Sequence, residues 1–260
     1  MKIVVKMRGT CGELAQGFFR GEPLLITCPI EKFSTCTVSD DFAGVDGLDT
    51  KSRTMLRKIL RHLNATDFKL GVRLTSELPR GKGMASSSAD IAAVAQAVAQ
   101  SLGKNLSPAE LGQLCAAIEP TDGIFYGGVV AMNPLTGRLV KKISAREKFS
   151  IAVFDYGGTV DTLTFNRRSD FSLPTLPDVI DFALVKKSAL ANQTILPKRG
   201  LLELTDFAAE LGALGVNVAH SGTVAGIFFR ADDSRVHEKI SAVRKKFDFL
   251  QFLTLTKLAT

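Results

Sequence analysis

The stretch from residue 79 to residue 90 holds the residues best suited to bind a phosphate. It reads Pro-Arg-Gly-Lys-Gly-Met-Ala-Ser-Ser-Ser-Ala-Asp and precedes an alanine-rich segment with a helical apolar period. The first turn of a helix has unpaired backbone N–H groups and partial positive charge, so it binds anions readily. Gly81 and Gly83 let the backbone approach an anion, the cations at positions 80 and 82 add charge, and the serine hydroxyls suit a phosphate oxygen or a magnesium ion. We interpret it as an anion-binding loop leading into a helix near Ser87 or Ser88; the alternative is an ordinary serine N-cap.

This stretch matches neither of two common nucleotide-binding motifs. Gly-x4-Gly-Lys-Ser/Thr occurs nowhere in the chain. Ser86 stands where the dinucleotide-binding pattern Gly-x-Gly-x-x-Gly requires its third glycine. The loop is therefore predicted to bind its anion in a different way from either motif.

A second set of candidate residues is the acidic turn Glu119-Pro120-Thr121-Asp122-Gly123. One carboxylate could hold magnesium, and the other could accept or orient the hydroxyl proton of a phosphoryl acceptor. The alternative is an acidic helix end followed by an Asp-Gly turn. An acid at a helix C-terminus opposes the helix dipole, so we expect a compensating group near Glu119.

Two further polar segments flank predicted strands. Residues 8–17 are rich in glycine and polar side chains, so we predict that Glu13 and Gln16 lie in a loop, with a solvated turn as the alternative. Residues 220–226, His-Ser-Gly-Thr-Val-Ala-Gly, form a small-residue turn that a tight hairpin would also explain. We interpret His220 as a hydrogen-bonded structural histidine rather than a base.

Composition limits the class of protein but not its ligand. With 260 residues, 45% hydrophobic and 23% charged, the chain can bury a sizeable core. No apolar run approaches the length of a membrane span, and the N-terminus lacks a signal-peptide pattern, so we expect a cytoplasmic protein. The four cysteines and three histidines show no zinc or disulfide spacing. The net charge of +7 suits an anionic substrate, RNA or a membrane surface equally.

The order of predicted elements favours an α+β fold. In the first half we predict strands at 3–7, 30–39 and 70–74, a hairpin turn at 20–23, and a basic helix over 51–63 whose charges form a solvated surface without chemistry. A helix with one apolar face follows the 79–90 stretch and stops at Gly103. The next helix opens with a capping box at Ser107 and ends at Glu119-Pro120.

The second half begins after a basic run at 141–148. A hairpin is predicted over 129–143, in the first half. In the second half we predict strands at 149–154, 216–219, 224–229 and the C-terminus, and helices near 177–190, 200–213 and 233–246. Residues 157–175 are predicted to be a loop that could close over a substrate. Helices on one side of the strands indicate an α+β sandwich.

The pattern Pro-x3-Gly-Met-x-Ser-Ser in the 79–90 stretch resembles the ATP-binding loop of the GHMP kinases, a family named for galactokinase, homoserine, mevalonate and phosphomevalonate kinases. Met84 replaces the usual Leu, Ala85 a frequent Gly, and Ser88 the usual Ala. The 8–17 segment, the 79–90 stretch and the 220–226 turn resemble the first, second and third motifs of this family, occur in family order and span residues 8 to 226. Cys-Gly-Glu-Leu-x-Gln-Gly, Glu-Pro-Thr-Asp and His-Ser-Gly-Thr look closest to the branch that phosphorylates L-threonine for the aminopropanol linker of cobalamin.

The resemblance implies a ribosomal-S5-like N-terminal half, residues 1–148, a ferredoxin-like C-terminal half, residues 149–260, and the use of ATP and Mg²⁺. It places magnesium on Ser87 and Glu119, and Asp122 beside the acceptor hydroxyl as the catalytic residue. The implied ATP-binding residues are Pro79, Gly81, Lys82, Gly83, Met84, Ala85, Ser86, Ser87 and Ser88. The implied substrate-binding residues are Cys11, Gly12, Glu13, Gln16, His220, Ser221, Gly222 and Thr223.

Three functions stay open from the sequence. The first is a threonine kinase, for which Glu13 is the nearest acidic partner for the substrate ammonium. The second is a kinase of another small alcohol, such as homoserine, serine or mevalonate. The third is a binding module, either an RNA binder that uses the S5-like half or a silent relative. We expect ATP and a small amino acid or alcohol as partners, no nucleic acid or membrane, and a monomer or homodimer.

Overall fold

The computed structural model describes residues 1–65, 67–160 and 171–259. Within them the chain forms ten strands, six α-helices and a short 3-10 turn at Asn192–Thr194. The strands are β1 Lys2–Phe19, β2 Glu22–Ser39, β3 Val45–Asp46, β4 Gly71–Ser76, β5 Val129–Asn133, β6 Arg138–Ile143, β7 Phe149–Asp155, β8 Gly215–Val218, β9 Val224–Arg230 and β10 Gln251–Lys257. The helices are α1 Thr50–His62, α2 Ser86–Ser101, α3 Pro108–Ala116, α4 Phe182–Ala191, α5 Leu201–Glu210 and α6 Val236–Lys246.

All ten strands belong to one sheet. Its order is β10-β7-β9-β8-β1-β2-β4-β3, with β5 paired to β2 and to β6. The strands of the C-terminal half have the order β10-β7-β9-β8 with antiparallel neighbours, and helices connect β7 to β8 and β9 to β10. This is the β-α-β-β-α-β order of a ferredoxin-like unit. The α+β class and the ferredoxin-like C-terminal half are therefore confirmed, while the division after residue 148 stays a prediction.

The predicted loop at residues 8–17 is wrong, because this segment is the middle of strand β1. Its pairing with β2 continues to Phe19, and the register shifts between Arg8 and Gly9 and twice between Thr10 and Ala15. Such bulges bend a strand without ending it and occur next to active sites. The glycines and polar residues that suggest a loop are therefore residues of a bulged strand, and Glu13 is buried rather than solvated.

Helix α2 lies at the centre of the N-terminal half. It contacts β1, β2 and β4 on the sheet and the helices α1 and α3. All residues from Ser88 to Ala99 are buried, so the other sides of the helix are buried together with the predicted apolar face. Small alanine side chains allow neighbours to approach the helix from every side. The N-terminus of α2 is thereby held in a fixed position at the sheet.

The remaining local predictions are mostly confirmed. The capping box at Ser107 and Glu110 is formed, although α3 ends at Ala116, three residues before Glu119. The predicted hairpins around residues 20–23 and 129–143 are present. Most of the loop predicted at 157–175 lies outside the described residues. In the three described ranges, no helix is long and apolar enough to cross a membrane.

Candidate active site

Strand β1 meets the 79–90 stretch through main-chain hydrogen bonds. The Thr10 N–H donates to the Met84 carbonyl, and the Gly12 N–H donates to the Gly83 carbonyl, each at 3.1 Å. Gly12 has a φ of 58°, in the left-handed region that favours glycine. The bulge in β1 thus turns a backbone donor toward the loop and joins two of the three sequence motifs.

The third motif contacts the same loop from the other side. The Thr223 N–H donates to the Lys82 carbonyl at 2.9 Å. A Cβ atom on Gly222 would lie 2.3 Å from that carbonyl oxygen and 2.4 Å from the Gly83 Cα. Gly222 is therefore required by the close approach of two backbones, and a tight hairpin alone does not explain it.

A cavity of about 560 Å³ opens where these segments meet. It is lined by many of the residues predicted from sequence, from the loop, the acidic turn, β1 and the third motif: Gly81, Gly83, Met84, Ala85, Ser86, Ser87, Ser88, Glu119, Asp122, Glu13, Gln16 and Ser221. Other predicted residues are not part of its lining, namely Pro79, Lys82, Cys11, Gly12, His220, Gly222 and Thr223. The structure therefore brings the three motifs together around one space.

The N-terminus of α2 faces this cavity without a side-chain cap. The residue before the helix is Ala85, with φ 54°, and no side chain caps the first turn. The alternative of an ordinary serine N-cap is therefore wrong. Ala85 holds a conformation that costs a non-glycine residue about 1 kcal/mol. The geometry leaves the first turn of α2 available to an anion.

Two side chains with oxygen donors line the cavity, one from the 79–90 stretch and one from the acidic turn. The hydroxyl of Ser87 is buried and has no hydrogen-bond partner among the described residues. Glu119 is buried, and its Oε2 accepts a short hydrogen bond from the Lys51 ammonium. A hydroxyl and a carboxylate are oxygen donors of the kind that magnesium prefers. Ser87 and Glu119 therefore fit a magnesium ion by the chemistry of their donor atoms, and the buried Ser87 hydroxyl without a partner among the described residues is one of these donors.

The contact of Lys51 corrects our interpretation of the basic helix α1. We assigned no chemistry to that helix, but Lys51 lies at its N-terminal end, lines the cavity and pairs with Glu119. It is the compensating group expected for the acid beyond the end of α3. The two residues are 68 positions apart in sequence, so no local pattern signals the pair.

Asp122 lies on the cavity wall beside Ser88, whose hydroxyl oxygen accepts the Asp122 N–H at 3.4 Å. Burial, together with the smaller effect of the negative charges of Glu13 and Glu119, raises the pKa of the Asp122 carboxyl to about 8, and a hydrogen bond from Ser88 opposes this rise. A carboxyl whose pKa lies near neutrality can exchange a proton with a substrate at physiological pH.

Lys82 is paired within the protein, and its role of supplying positive charge near a phosphate stays a prediction. Its ammonium donates to Asp155 Oδ2 and to the Gly158 carbonyl, both at 2.6 Å. Asp155 is buried, and it also accepts the Thr223 hydroxyl at 2.6 Å. A buried carboxylate requires a cation or several donors, and Lys82 meets this need. The pair ties the anion-binding loop to the third motif.

Arg80 and two carboxylates form a cluster of three charged groups at the cavity. Its guanidinium lies 3.6 Å from the carboxylates of both Asp49 and Asp90. Asp49 caps α1 by accepting the Ser52 N–H at 2.8 Å, and Asp90 accepts the Ser34 hydroxyl. Sequence reasoning missed both acids as residues of the site. The Asp-x-x-Ser spacing before α1 could have signalled the cap, but nothing local signals its place in the cavity.

Glu13 is held from behind by His220. Glu13 Oε2 accepts the His220 backbone N–H at 2.8 Å and lies 3.1 Å from the ring Nδ1. The other ring nitrogen lies 2.8 Å from the Ser188 hydroxyl. His220 is hydrogen-bonded, as we predict, while its role as a structural residue rather than a base stays a prediction. Its ring does not line the cavity, although its partner Glu13 does.

Comparison with known proteins agrees with this geometry. A family model for the GHMP kinases N terminal domain matches residues 51–129. The chain is 30% identical to an L-threonine kinase of Salmonella typhimurium, over 92% of this chain and 87% of that protein. It is 31% identical to an L-threonine kinase of Citrobacter freundii, over 86% of this chain and 85% of that protein.

The fold is also similar to that of solved kinases. The Methanococcus jannaschii mevalonate kinase superposes with a TM-score of 0.70 at 14% identity, covering 100% of this chain and 99% of that one. At this identity the likeness concerns the fold alone. The segments that surround the cavity here are therefore arranged in a fold that is known from solved structures.

Proposed function

Because the chain belongs to the GHMP kinase family and is a small-molecule kinase, we propose that it transfers the γ-phosphoryl group of ATP to the side-chain hydroxyl of L-threonine. The product would be L-threonine O-3-phosphate. One observation carries the proposal: a single cavity is lined by an uncapped helix N-terminus, a buried unpartnered hydroxyl and a carboxyl with a raised pKa. On sequence resemblance alone, we further propose that the product serves the aminopropanol linker of cobalamin.

The phosphates of ATP are expected to lie against the 79–90 stretch. Gly81 and Gly83 both line the cavity, and both have a φ near the left-handed region, at 70° and 79°. Their backbones can therefore present N–H groups to an anion without side-chain obstruction. The first turn of α2 adds further donors and its dipole.

Ser87 and Glu119 would hold a magnesium ion together with phosphate oxygens. When bound, magnesium neutralises negative charge on the transferring phosphoryl group. The Lys51 ammonium pairs with the Glu119 carboxylate. It can place its positive charge near the phosphates when Glu119 binds a cation.

Asp122 is proposed to accept or orient the threonine hydroxyl proton. The phosphoryl-transfer transition state is loose, so positioning of the hydroxyl contributes as much as proton removal. Glu13 and Gln16 lie on the same cavity wall as polar contacts for the amino-acid end. The apolar side chains of Phe18 and Leu25 also line the cavity and suit the threonine methyl group.

The decisive experiment measures ADP release by the purified protein with ATP, Mg²⁺ and a panel of acceptors. The panel contains threonine, serine, homoserine and mevalonate. We expect threonine to give the highest kcat/KM. A higher kcat/KM with another alcohol would show that this alcohol, and not threonine, is the acceptor, and the protein would still be a kinase. No ATP turnover with any acceptor would favour a silent binding module.

Ser87→Ala is expected to lower kcat/KM for ATP at least tenfold without loss of stability. The Ser87 hydroxyl makes no hydrogen bond within the described residues, so its removal relieves a buried unpaired group. The melting temperature should therefore stay equal or rise. The exposed Ser241→Ala is the matched control for both readouts. Activity of Ser87→Ala within twofold of the unaltered protein would refute the proposed role.

Glu119→Gln is expected to raise the magnesium concentration needed for half-maximal activity about tenfold, because a hard cation prefers a charged oxygen. The measurement is a magnesium titration at saturating threonine. Lys51→Met is the control, since it breaks the same ion pair but leaves the carboxylate in place. If both variants shift the titration equally, Glu119 acts only as the partner of Lys51.

A further inference from the structure

A chain of buried hydrogen bonds lies directly behind the cavity wall at Glu13. The Gln16 N–H donates to the Ser188 hydroxyl oxygen at 3.0 Å, and that hydroxyl lies 2.8 Å from His220 Nε2. His220 Nδ1 lies 3.1 Å from Glu13 Oε2. Ser188, His220 and Glu13 are 1%, 4% and 6% exposed. The proposed phosphoryl transfer uses none of the groups behind Glu13.

The direction of each hydrogen bond in this chain follows from which of its groups can donate and which can only accept. A carboxylate oxygen only accepts, so His220 Nδ1 carries the hydrogen that faces Glu13. The Ser188 oxygen accepts from the Gln16 backbone and therefore has its own hydrogen available for His220 Nε2. Each group donates once toward the next, and the chain ends on a single oxygen of Glu13. The Ser188 hydroxyl is fully engaged and lies away from the cavity lining, so it is not a nucleophile.

The backbone that carries His220 is fixed from the opposite side. The Asn192 side-chain amide donates to the His220 carbonyl at 3.1 Å, and the buried Lys198 ammonium donates to the Ala219 carbonyl at 2.8 Å. Burial lowers the pKa of Lys198 to about 8, while the charge of Glu13 raises it. The positive charge of Lys198 therefore offsets part of the negative charge of Glu13 without a direct hydrogen bond, since its ammonium donates to the Ala219 carbonyl and to the Asn192 side chain.

This arrangement leaves one carboxylate oxygen of Glu13 for a ligand. Oε2 accepts both bonds from His220, whereas Oε1 has no hydrogen bond within the described ranges, and Glu13 lines the cavity. The Glu13 charge also opposes ionisation of Asp122. A cationic group of an acceptor bound at Oε1 would neutralise Glu13 and make the Asp122 carboxylate easier to form.

Resting on the proposed function, we propose that His220 is a positioning residue that fixes Glu13 with its free oxygen toward the cavity. Glu13 thereby binds the ammonium of an α-amino acid acceptor, and the site selects acceptors that carry this group. His220 itself touches no substrate. Its effect on specificity passes through Glu13, with Ser188 holding the ring in the required orientation.

The experiment compares threonine with (R)-3-hydroxybutyrate, the same molecule without its amino group. The unaltered protein should prefer threonine by at least about 100-fold in kcat/KM, the scale of a lost hydrogen bond to a buried charge. Glu13→Gln and His220→Ala should each raise KM for threonine at least about tenfold. Both variants should leave KM for ATP within about threefold, and neither should lower the low activity with 3-hydroxybutyrate, because that acceptor has no ammonium to lose.

Three further variants separate positioning from folding. His220→Asn keeps a donor near the Nδ1 position and should recover most of the threonine affinity that His220→Ala loses. Ser188→Ala should raise KM for threonine in the same direction, by a smaller factor. The exposed His237→Ala is the control of the same residue type. If His220→Ala does not fold, His220→Asn and Ser188→Ala decide the question.

A double-mutant cycle gives the sharpest readout. If His220 acts through Glu13, Glu13→Gln with His220→Ala should lose no more than about twofold beyond Glu13→Gln alone. If the losses in kcat/KM of the two single variants multiply in the double variant, the positioning role is overturned. Equal losses in kcat/KM for threonine and 3-hydroxybutyrate would also overturn it. In both cases, turnover of threonine by the unaltered protein would still support the proposed function. If the unaltered protein phosphorylates only acceptors without an amino group, the proposed function fails, and this inference fails with it.

Discussion

Asp122→Asn is expected to lower kcat by at least tenfold and by as much as about 10⁴-fold, the range for a lost general base. The substitution keeps the shape of the side chain and removes its charge, so KM for ATP should change little. The measurement is steady-state ADP release at saturating ATP and threonine. Asp46→Asn, on an exposed strand, is a control for loss of one negative charge. Unchanged kcat would show that Asp122 is only a turn residue.

The same substitution should stabilise the protein, with an effect that grows with pH. The folded pKa of Asp122 is raised above its ordinary value, so the stability from the protonated form is present at low pH. It is lost as pH rises toward and through about 8, where the buried group ionises. The carboxyl lines the open cavity, where solvent lowers the cost of its charge, so we expect the variant to gain about 1 kcal/mol at pH 9 and much less at pH 5. Thermal unfolding at the two pH values measures the difference. A gain that is equal at both would contradict the assigned pKa.

Lys82→Met is expected to destabilise the fold by about 3 kcal/mol, because it leaves the buried Asp155 carboxylate without its cation. The Lys82 side chain is 19% exposed and that of Asp155 is 2% exposed, so water replaces the lost ammonium poorly. The bonds from Thr223 and the Gly157 N–H keep the loss from being larger. Denaturant unfolding of the protein without nucleotide gives the free energy directly.

Lys186→Met is the matched control for this prediction. Lys186 and Asp206 form an ion pair at 3.3 Å whose side chains are 45% and 60% exposed. An exposed pair contributes less than about 1 kcal/mol, so the control should be close to neutral. If Lys82→Met is equally neutral but raises KM for ATP at least tenfold, Lys82 leaves Asp155 when nucleotide binds. Our first prediction of its role would then be correct.

The sequence by itself determined the features that depend on short-range physics. Cap geometry at Ser107, the two hairpins and the glycine stop at Gly103 each involve residues within a few positions of one another. The anion-binding loop was also recognisable, because glycines and hydroxyls must precede a helix for its N–H groups to reach an anion. The alternation of helices and strands was sufficient for the α+β class.

Only the tertiary structure decided which charged groups face the cavity. Lys82 pairs with Asp155 across 73 positions, and Lys51 pairs with Glu119 across 68. The bulged course of β1 depends on its pairing with β2 and on hydrogen bonds to the anion-binding loop, so local composition suggested a loop instead. A buried charge takes whichever partner the fold places nearby, because leaving it unpaired costs more than any local preference. The partner of Lys82 and the burial of Glu13 therefore could not be known before the distant segments were brought together.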